Sequence, residues 1–307
     1  MPKYKIIINP IAGKGAGARL APEIQAELTR LGLNFDTVQT ERPGHGIELA
    51  RQAAADGYDV VVAAGGDGTS NEVLNGLMQA RNAGDGNPAL GVLPIGRGND
   101  FAFSMHIPTD WKAAALTLKN DVKKPLDVGL AKGERYPEGR YFGNGVGIGF
   151  DAVVGFVAAK SRLSGILSYL VAAIKTISLY FNAPTIRLEL DDQTITQPFL
   201  MVSIMNGRRM GGSFMMAPQS KNDDGLFDLC LAGQVSRMGI VTLIPKFMSG
   251  TQAGHPAIRY VQTRKLTATA MDGTLPAHAD GETLCEEGHE LYIELFPRQL
   301  DLIYQPD

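Results

Sequence analysis

The residues best suited to chemistry form one run, Gly65-Gly66-Asp67-Gly68-Thr69, set between the apolar stretch Val60 to Ala64 and a helix-prone segment opening Ser70-Asn71-Glu72. A strand that ends in glycines at the start of a helix turns backbone N–H groups and the positive end of a helix dipole toward an anion. Phosphate is the ligand such an arrangement suits. The spacing fits neither the dinucleotide fingerprint nor the P-loop. A tight turn capped by Thr69 is the plainer alternative. Asp67 weighs against it, because a carboxylate inside an anion cradle repels phosphate unless it also serves a metal or a hydroxyl. That combination points to magnesium–nucleotide chemistry.

Two more loops repeat the theme. Asn9-Pro10, with Gly13 and Gly15, follows the apolar run Lys5 to Asn9, and Pro94-Ile95-Gly96-Arg97-Gly98-Asn99-Asp100 follows Ala89 to Ile95. The elements between them alternate: strands at Lys5–Asn9, Asn34–Thr40, Asp59–Ala64 and Ala89–Ile95, helices at Leu20–Leu31, Ile47–Ala55 and Thr69–Ala80. A βα alternation predicts a parallel sheet with flanking helices, whose loops at the strand carboxyl ends converge on one crevice. From about Leu126 the rhythm changes to short strands, at Thr185–Leu190, Thr194–Met205, Leu226–Ala232, Lys265–Ala270 and His289–Phe296. Acidic and glycine turns separate several of them, and one long helix falls near Ile166. The expectation is an α/β domain over residues 1–127 and a mainly antiparallel, β-sandwich-like domain over 128–307. The last strand is left free to return to the first domain, and the active site is expected in the cleft between the two.

Composition narrows the function. A chain of 307 residues with 44% apolar and 20% charged residues suits two globular domains. A formal charge of −3 gives no field to draw nucleic acid. Basic clusters are confined to Arg208-Arg209 and Lys160-Ser161-Arg162, and two distant cysteines, Cys230 and Cys285, make neither a zinc site nor a disulfide framework. The apolar region from Ile166 to Phe181 is shorter than the roughly 20 residues a spanning helix needs. No transmembrane segment and no signal peptide are expected. The protein is expected in the cytoplasm, or peripheral at the inner membrane face. A homodimer is compatible with all of this.

Three motifs in order carry a resemblance. Asn9-Pro10-x-x-Gly13, Gly65-Gly66-Asp67-Gly68-Thr69-x-Asn71-Glu72-Val73 and Pro94-x-Gly96-x-Gly98-Asn99-Asp100 resemble the signature of the diacylglycerol kinase family of lipid kinases, related to sphingosine kinases and more distantly to NAD kinases. The second half is similar too, in Asn206-Gly207, Gly211-Gly212, Ala217-Pro218, Asp224-Gly225-Leu226-Phe227-Asp228 and Asp280-Gly281-Glu282. One departure is Arg97, where the family usually has threonine. Its guanidinium could clamp phosphate oxygens or point away.

The resemblance implies an ATP- and Mg²⁺-dependent kinase that phosphorylates the hydroxyl of a diacylglycerol-like lipid at a membrane surface. It implies Glu282 as general base and Asp67 as a second catalytic group. Nucleotide contacts are expected from Asn9, Thr40, Gly65, Gly66, Asp67, Gly68, Thr69, Asn71, Arg97, Gly98, Asn99 and Asp100. A structural Mg²⁺ is implied at the Asp224 carboxylate and the carbonyls of Lys221 and Leu226. Asp127 matches an acidic position tied to the metal, with a plain strand-end acid as the equal alternative. On local sequence alone, Asp280-Gly281-Glu282 reads as a hairpin turn and Lys221–Leu226 as an ordinary acidic turn. Leu163, Ile166, Leu170, Ile174, Ile177 and Phe181 form an apolar helical stripe, read first as core and second as an acyl-chain or membrane contact. Met201, Met205, Met210, Met215 and Met216 suit either core filling or an adaptable apolar pocket. Two other readings share the glycine loop: a kinase for a soluble acceptor, of the NAD-kinase type, and a catalytically silent nucleotide-binding regulator.

Overall fold

The computed structural model of the chain describes residues 1–159, 171–172, 175–176 and 183–306. The expected stripe from Leu163 to Phe181 and the Lys160-Ser161-Arg162 cluster lie outside the described residues. The chain forms two compact units, one of Met1–Val128 with Pro297–Asp307, the other of Gly129–Phe296.

The first unit is a doubly wound α/β layer. Its strands β1 (Lys3–Ile8), β2 (Asn34–Gln39), β3 (Val60–Gly65) and β4 (Ala89–Pro94) pair in parallel in the order β2-β1-β3-β4. β3 and β4 are buried at every position, as apolar strands covered on both faces must be, whereas edge strand β2 alternates between partly buried and exposed. Helix α1 (Ala12–Arg30), broken in its first turn by left-handed backbone at Gly13, Lys14 and Gly15 where the glycine loop after β1 runs, links β1 to β2; α2 (His45–Ala55) links β2 to β3 and α3 (Asp67–Ala83) links β3 to β4. Two short helices follow, α4 (Asp100–Ser104) and α5 (Trp111–Asn120). The step from β1 to β2 runs opposite to the steps from β2 to β3 and β3 to β4. Right-handed crossovers therefore place α1 on one face and α2 and α3 on the other. The packing agrees: α2 lies against α3, and α1 against α5. The chain thus reverses between β1 and β3, and at such a switch point the two following loops part and open a crevice.

The second unit is built from two antiparallel sheets that share a strand. It comprises β5 (Lys123–Gly133, begun in the first unit), β6 (Tyr136–Phe142), β7 (Gly145–Gly149), α6 (Phe150–Ala159), β8 (Thr185–Leu190), β9 (Thr194–Met205) and β10 (Phe227–Gly233). After these come α7 (Arg237–Ser249), β11 (Ile258–Thr263), β12 (Lys265–Ala270), β13 (Leu275–Ala279), β14 (Glu282–Gly288) and β15 (Glu290–Ile303). One sheet has the order β14-β13-β7-β9-β10-β11. The other runs β9-β8-β12-β15-β5-β6. β9 serves both, pairing β8 through Thr194–Pro198 and β7 through Met201–Met205. Between the sheets lie Phe142, Ile148, Leu188, Val202, Ile204, Leu229 and Ile293. On the outer face of the first sheet, Met201, Met205, Met210 and Met216 pack with Phe150 and Val154 of α6 and with Ile240, Leu243 and Phe247 of α7. There the methionines fill core.

β8, β9 and β12 have the bounds expected from sequence. β15 does not: it continues past Phe296 to Ile303, where Leu302 pairs in parallel with Leu90 of β4 in the first unit. Helix α7 was not expected from the sequence. Apolar on most sides, it lacks the single-sided period that marks a surface helix.

Candidate active site

The three glycine loops of the first unit meet backbone to backbone. The Gly65 carbonyl accepts from the N–H groups of Ile95 (2.7 Å) and Gly96 (3.2 Å). A Cβ on Gly96 would stand 2.5 Å from the Gly66 Cα, and one on Gly13, held at φ +58°, would stand 2.4 Å from the Ile95 carbonyl oxygen. No side chain fits in these contacts. Asn9 then ties the loop after β1 to the start of α3: its Nδ2 donates to Thr69 Oγ1 (3.0 Å), and its Oδ1 accepts from the Ile11 N–H (3.1 Å). Thr40, buried at the end of β2, donates its N–H to the Ile8 carbonyl (2.9 Å).

Helix α3 opens at Asp67, and Gly66, its N-cap, is extended and brings no side-chain cap. The N-terminal N–H groups of this 17-residue helix therefore present the dipole's positive end at the loop cluster. Asp67 Oδ1 accepts from the Phe101 N–H (2.9 Å), which joins α3 to the first turn of α4. Asn99, in the left-handed region at φ +51°, precedes α4 and donates from Nδ2 to the Gly96 carbonyl (3.2 Å). Asp100 is buried, and Arg97 is exposed at the loop tip. Asn71 is buried inside α3, where its Oδ1 accepts from Asn75 Nδ2 (3.1 Å). Glu72, though part of the same motif, accepts from the Gly44 (2.8 Å) and Gly46 (2.9 Å) N–H groups and so fixes the start of α2. Asp127 is fully buried, and its Oδ1 accepts from the Arg298 N–H (2.8 Å).

Glu282, Lys221, Asp224 and Leu226 belong to the second unit. Asp280 and Gly281 both have positive φ, +48° and +87°, and Ala279 pairs with Glu282 across them. This is the two-residue hairpin an Asp-Gly pair favours. The Asp280 carboxylate does more than turn the chain. It accepts from the N–H groups of Gly143 (2.9 Å), Asn144 (3.0 Å) and Gly145 (2.9 Å), more than 130 residues away. Three bonds to one carboxylate pin the hairpin tip and with it the partly buried Glu282, the first residue of β14. At the other acidic turn Asp224 is exposed and its Oδ1 accepts from the Leu226 N–H (3.1 Å). Beside it, the Asp228 carboxyl is pushed above the usual range, first by burial and further by the Asp224 charge.

A buried polar row that the sequence did not suggest crosses the first sheet of the second unit. Register pairs His278 with Gly147, Gly147 with Ser203, Ser203 with Cys230 and Cys230 with Tyr260. Directly paired residues share a face. Over Gly147, where a Cβ would stand too close to fit, lies the Asp151 carboxylate from the first turn of α6, accepting from Ser203 Oγ (3.1 Å). Burial pushes the Asp151 carboxyl up to about 7 and the His278 imidazole down to about 4. No local signal marks these residues, because only strand register brings them together. Among the described residues, no three His, Cys, Asp or Glu side chains cluster as metal ligands.

A doubly wound unit with a phosphate-type cradle, joined to an antiparallel sandwich, defines a class of kinases. Residues 3–131 match the diacylglycerol kinase catalytic domain, and residues 144–304 match the YegS C-terminal NAD kinase beta sandwich-like domain. The chain belongs to the diacylglycerol kinase family, a family of phosphotransferases acting on alcohol groups. Relatives include a diacylglycerol kinase of Staphylococcus saprophyticus, 28% identical over 91% of this chain and 88% of the relative. Another is the diacylglycerol kinase of Bacillus subtilis, 28% identical over 92% of this chain and 90% of the relative. A solved Bacillus anthracis structure, proposed to be a diacylglycerol kinase, superposes with a TM-score of 0.80 at 25% identity, covering 99% of this chain and 98% of that one. An ATP-bound NAD kinase of Archaeoglobus fulgidus shares the fold alone, with a TM-score of 0.53 at 13% identity over 98% of this chain and 93% of that one.

Proposed function

We propose that this protein transfers the γ-phosphate of ATP to the hydroxyl of a diacylglycerol-like lipid, with Mg²⁺ as the accompanying cation. The observation that carries this reading is the packing of three glycine loops at the sheet's switch point, with Asp67 heading α3 among them. The cradle fits a nucleotide: side chains are excluded from its contacts, and helix N–H groups are offered to an anion. The acidic turn fits a hard cation, since its donors are oxygens; the Asp228 carboxyl beside it, raised first by burial, is raised further by the Asp224 charge that a cation would offset.

In this reading Gly65, Gly66, Gly68 and Thr69 present backbone donors to the phosphates. Asn9, Thr40 and Asn71 hold the loops in place, and Gly98, Asn99 and Asp100 close the cradle from the loop after β4. Arg97, exposed at that loop's tip, supplies the mobile cation for the phosphate oxygens. Asp67 receives the metal or the acceptor hydroxyl. Mg²⁺, when bound, neutralises charge on the phosphate oxygens. Glu282 takes the proton from the lipid hydroxyl as its oxygen bonds to the γ-phosphorus and the bond to the ADP oxygen breaks. Asp280 is the positioning residue that fixes Glu282 through the hairpin. The Asp224 carboxylate and the Lys221 and Leu226 carbonyls hold a structural cation. Asp127, whose Oδ1 accepts from the Arg298 N–H, acts in this reading as a buried strand-end acid, with a part in the metal network as the alternative.

The test is a panel of acceptors with γ-labelled ATP, with and without Mg²⁺: detergent-dispersed diacylglycerol, a total lipid extract, NAD and sugars. Mg²⁺-dependent label in phosphatidic acid is expected. Label in the phosphorylated dinucleotide and none in lipid would overturn the reading.

A further inference from the structure

Helix α7 is apolar on two faces yet lies at the surface. Ile240, Leu243 and Phe247 turn inward and are at most 8% exposed. Met238, Val241 and Met248 are 69%, 45% and 39% exposed, and Pro245 is exposed between them. At about 100° per residue, the four outer side chains fall within one stripe of roughly 80°, well separated from the inner face. A helix with one buried face ordinarily turns polar residues outward. Here the remaining exposed polar side chains, Arg237, Thr242, Lys246 and Ser249, include two cations and no acid. Arg237 and Lys246 stand on opposite sides of the stripe. Ser236 caps the helix, its Oγ accepting from the Gly239 N–H (3.0 Å), so the stripe is held on a formed element rather than a loose loop.

Two occupants suit an exposed apolar stripe, and the chemistry separates them. Four partly exposed side chains offer at most a few hundred Å², short of the ~800 Å² per partner of a stable protein interface. A bilayer needs no such area, and it rewards this composition: apolar side chains in the plane of the interface, basic ones at anionic headgroups. We infer that α7 is a membrane-docking helix, seating Met238, Val241, Pro245 and Met248 among lipid chains with Arg237 and Lys246 at anionic headgroups. The choice of a bilayer rests on the lipid-kinase reading, because an enzyme whose acceptor stays in the bilayer must work at its surface.

The experiment is co-sedimentation of the full chain with vesicles of phosphatidylglycerol mixed into phosphatidylcholine, without nucleotide. Wild type is expected to bind, more tightly as phosphatidylglycerol increases. Met238→Asp with Val241→Asp should weaken binding at least tenfold. Arg237→Glu with Lys246→Glu should erase the preference for anionic vesicles, each cation accounting for about a fivefold loss. Met238 and Val241 are exposed, so the melting temperature of that variant should match wild type; Met248→Asp alone is the milder check should a double variant melt early. Equal vesicle binding by wild type and the Asp variants, or no binding by wild type, overturns the inference. So does a wild-type dimer that the Asp variants split while vesicle binding is unchanged, which would assign the stripe to a second copy of the chain. The readout needs no catalysis. Failure to phosphorylate any lipid would therefore fail the kinase reading and leave this one to be judged on binding.

Discussion

Asp151 and His278 make opposed contributions to stability, and removing either should expose the other. The Asp151 carboxyl rises from 3.8 to about 7 in the folded chain, so the native state holds its proton more tightly than the unfolded state. Its contribution is present at low pH and is lost as pH rises from about 4 toward 7. His278 falls from 6.5 to about 4, so the folded imidazole stays neutral while the unfolded one is charged. Its contribution is lost at low pH and complete above 6.5. Each tenfold difference in proton affinity between folded and unfolded chains corresponds to about 1.4 kcal/mol. Between pH 4.5 and 6.5 each group therefore changes stability by about 2 kcal/mol, with opposite signs. The two nearly cancel in the wild type. His278→Gln should therefore lose about 2 kcal/mol, relative to wild type, between pH 4.5 and 6.5. Asp151→Asn, which keeps an acceptor for Ser203, should gain a similar amount over the same range. Urea unfolding followed by circular dichroism reads this; fluorescence of the single tryptophan, Trp111, reports the first unit instead. Comparing variant with wild type removes the contributions of other groups, including the raised Asp228. Variants whose stability tracks wild type across the range would refute the reasoning.

Asp67→Asn should nearly abolish turnover without unfolding the chain, since the amide oxygen still accepts from Phe101; steady-state kinetics beside a thermal melt checks both halves. Glu282→Gln should lower kcat by about 10²–10⁴-fold while the KM for ATP stays close to wild type, because the residue serves the acceptor hydroxyl. Asp280→Ala strands three N–H groups and should cost about 3 kcal/mol, with a fall in kcat larger than any change in the KM for ATP; urea unfolding and kinetics on the same preparation separate the two effects. Asp224→Ala should remove the rise in melting temperature that added Mg²⁺ gives the wild type, and an equal rise in both proteins would place the cation elsewhere.

The sequence alone determined what is set over a few residues or by simple periods. Glycine runs at the ends of apolar strands, a carboxylate at a helix start and the switch from βα alternation to short strands are all local. They were enough for both fold classes and for the Asn9, Gly65–Thr69 and Gly96–Asp100 loops. The Asp280-Gly281 turn was legible as a turn for the same reason: its positive φ values are chosen by the two residues themselves. Tertiary structure decided what depends on register and on which face is covered. That the Asp280 carboxylate meets three N–H groups of the β6–β7 loop and the start of β7 follows from strand pairing across more than 130 residues. The row from His278 through Ser203 to Tyr260 exists only because four strand pairings align it, and Asp151 joins it only because Gly147 leaves space above the sheet. From sequence β15 reads as ending near Phe296 with a return to the first domain left open, because nothing local announces that its last residues lie beside Leu90. Helix α7 was invisible for the converse reason: with apolar residues on two faces, its sequence has no single period, and only the packing of Ile240, Leu243 and Phe247 decides which face turns inward.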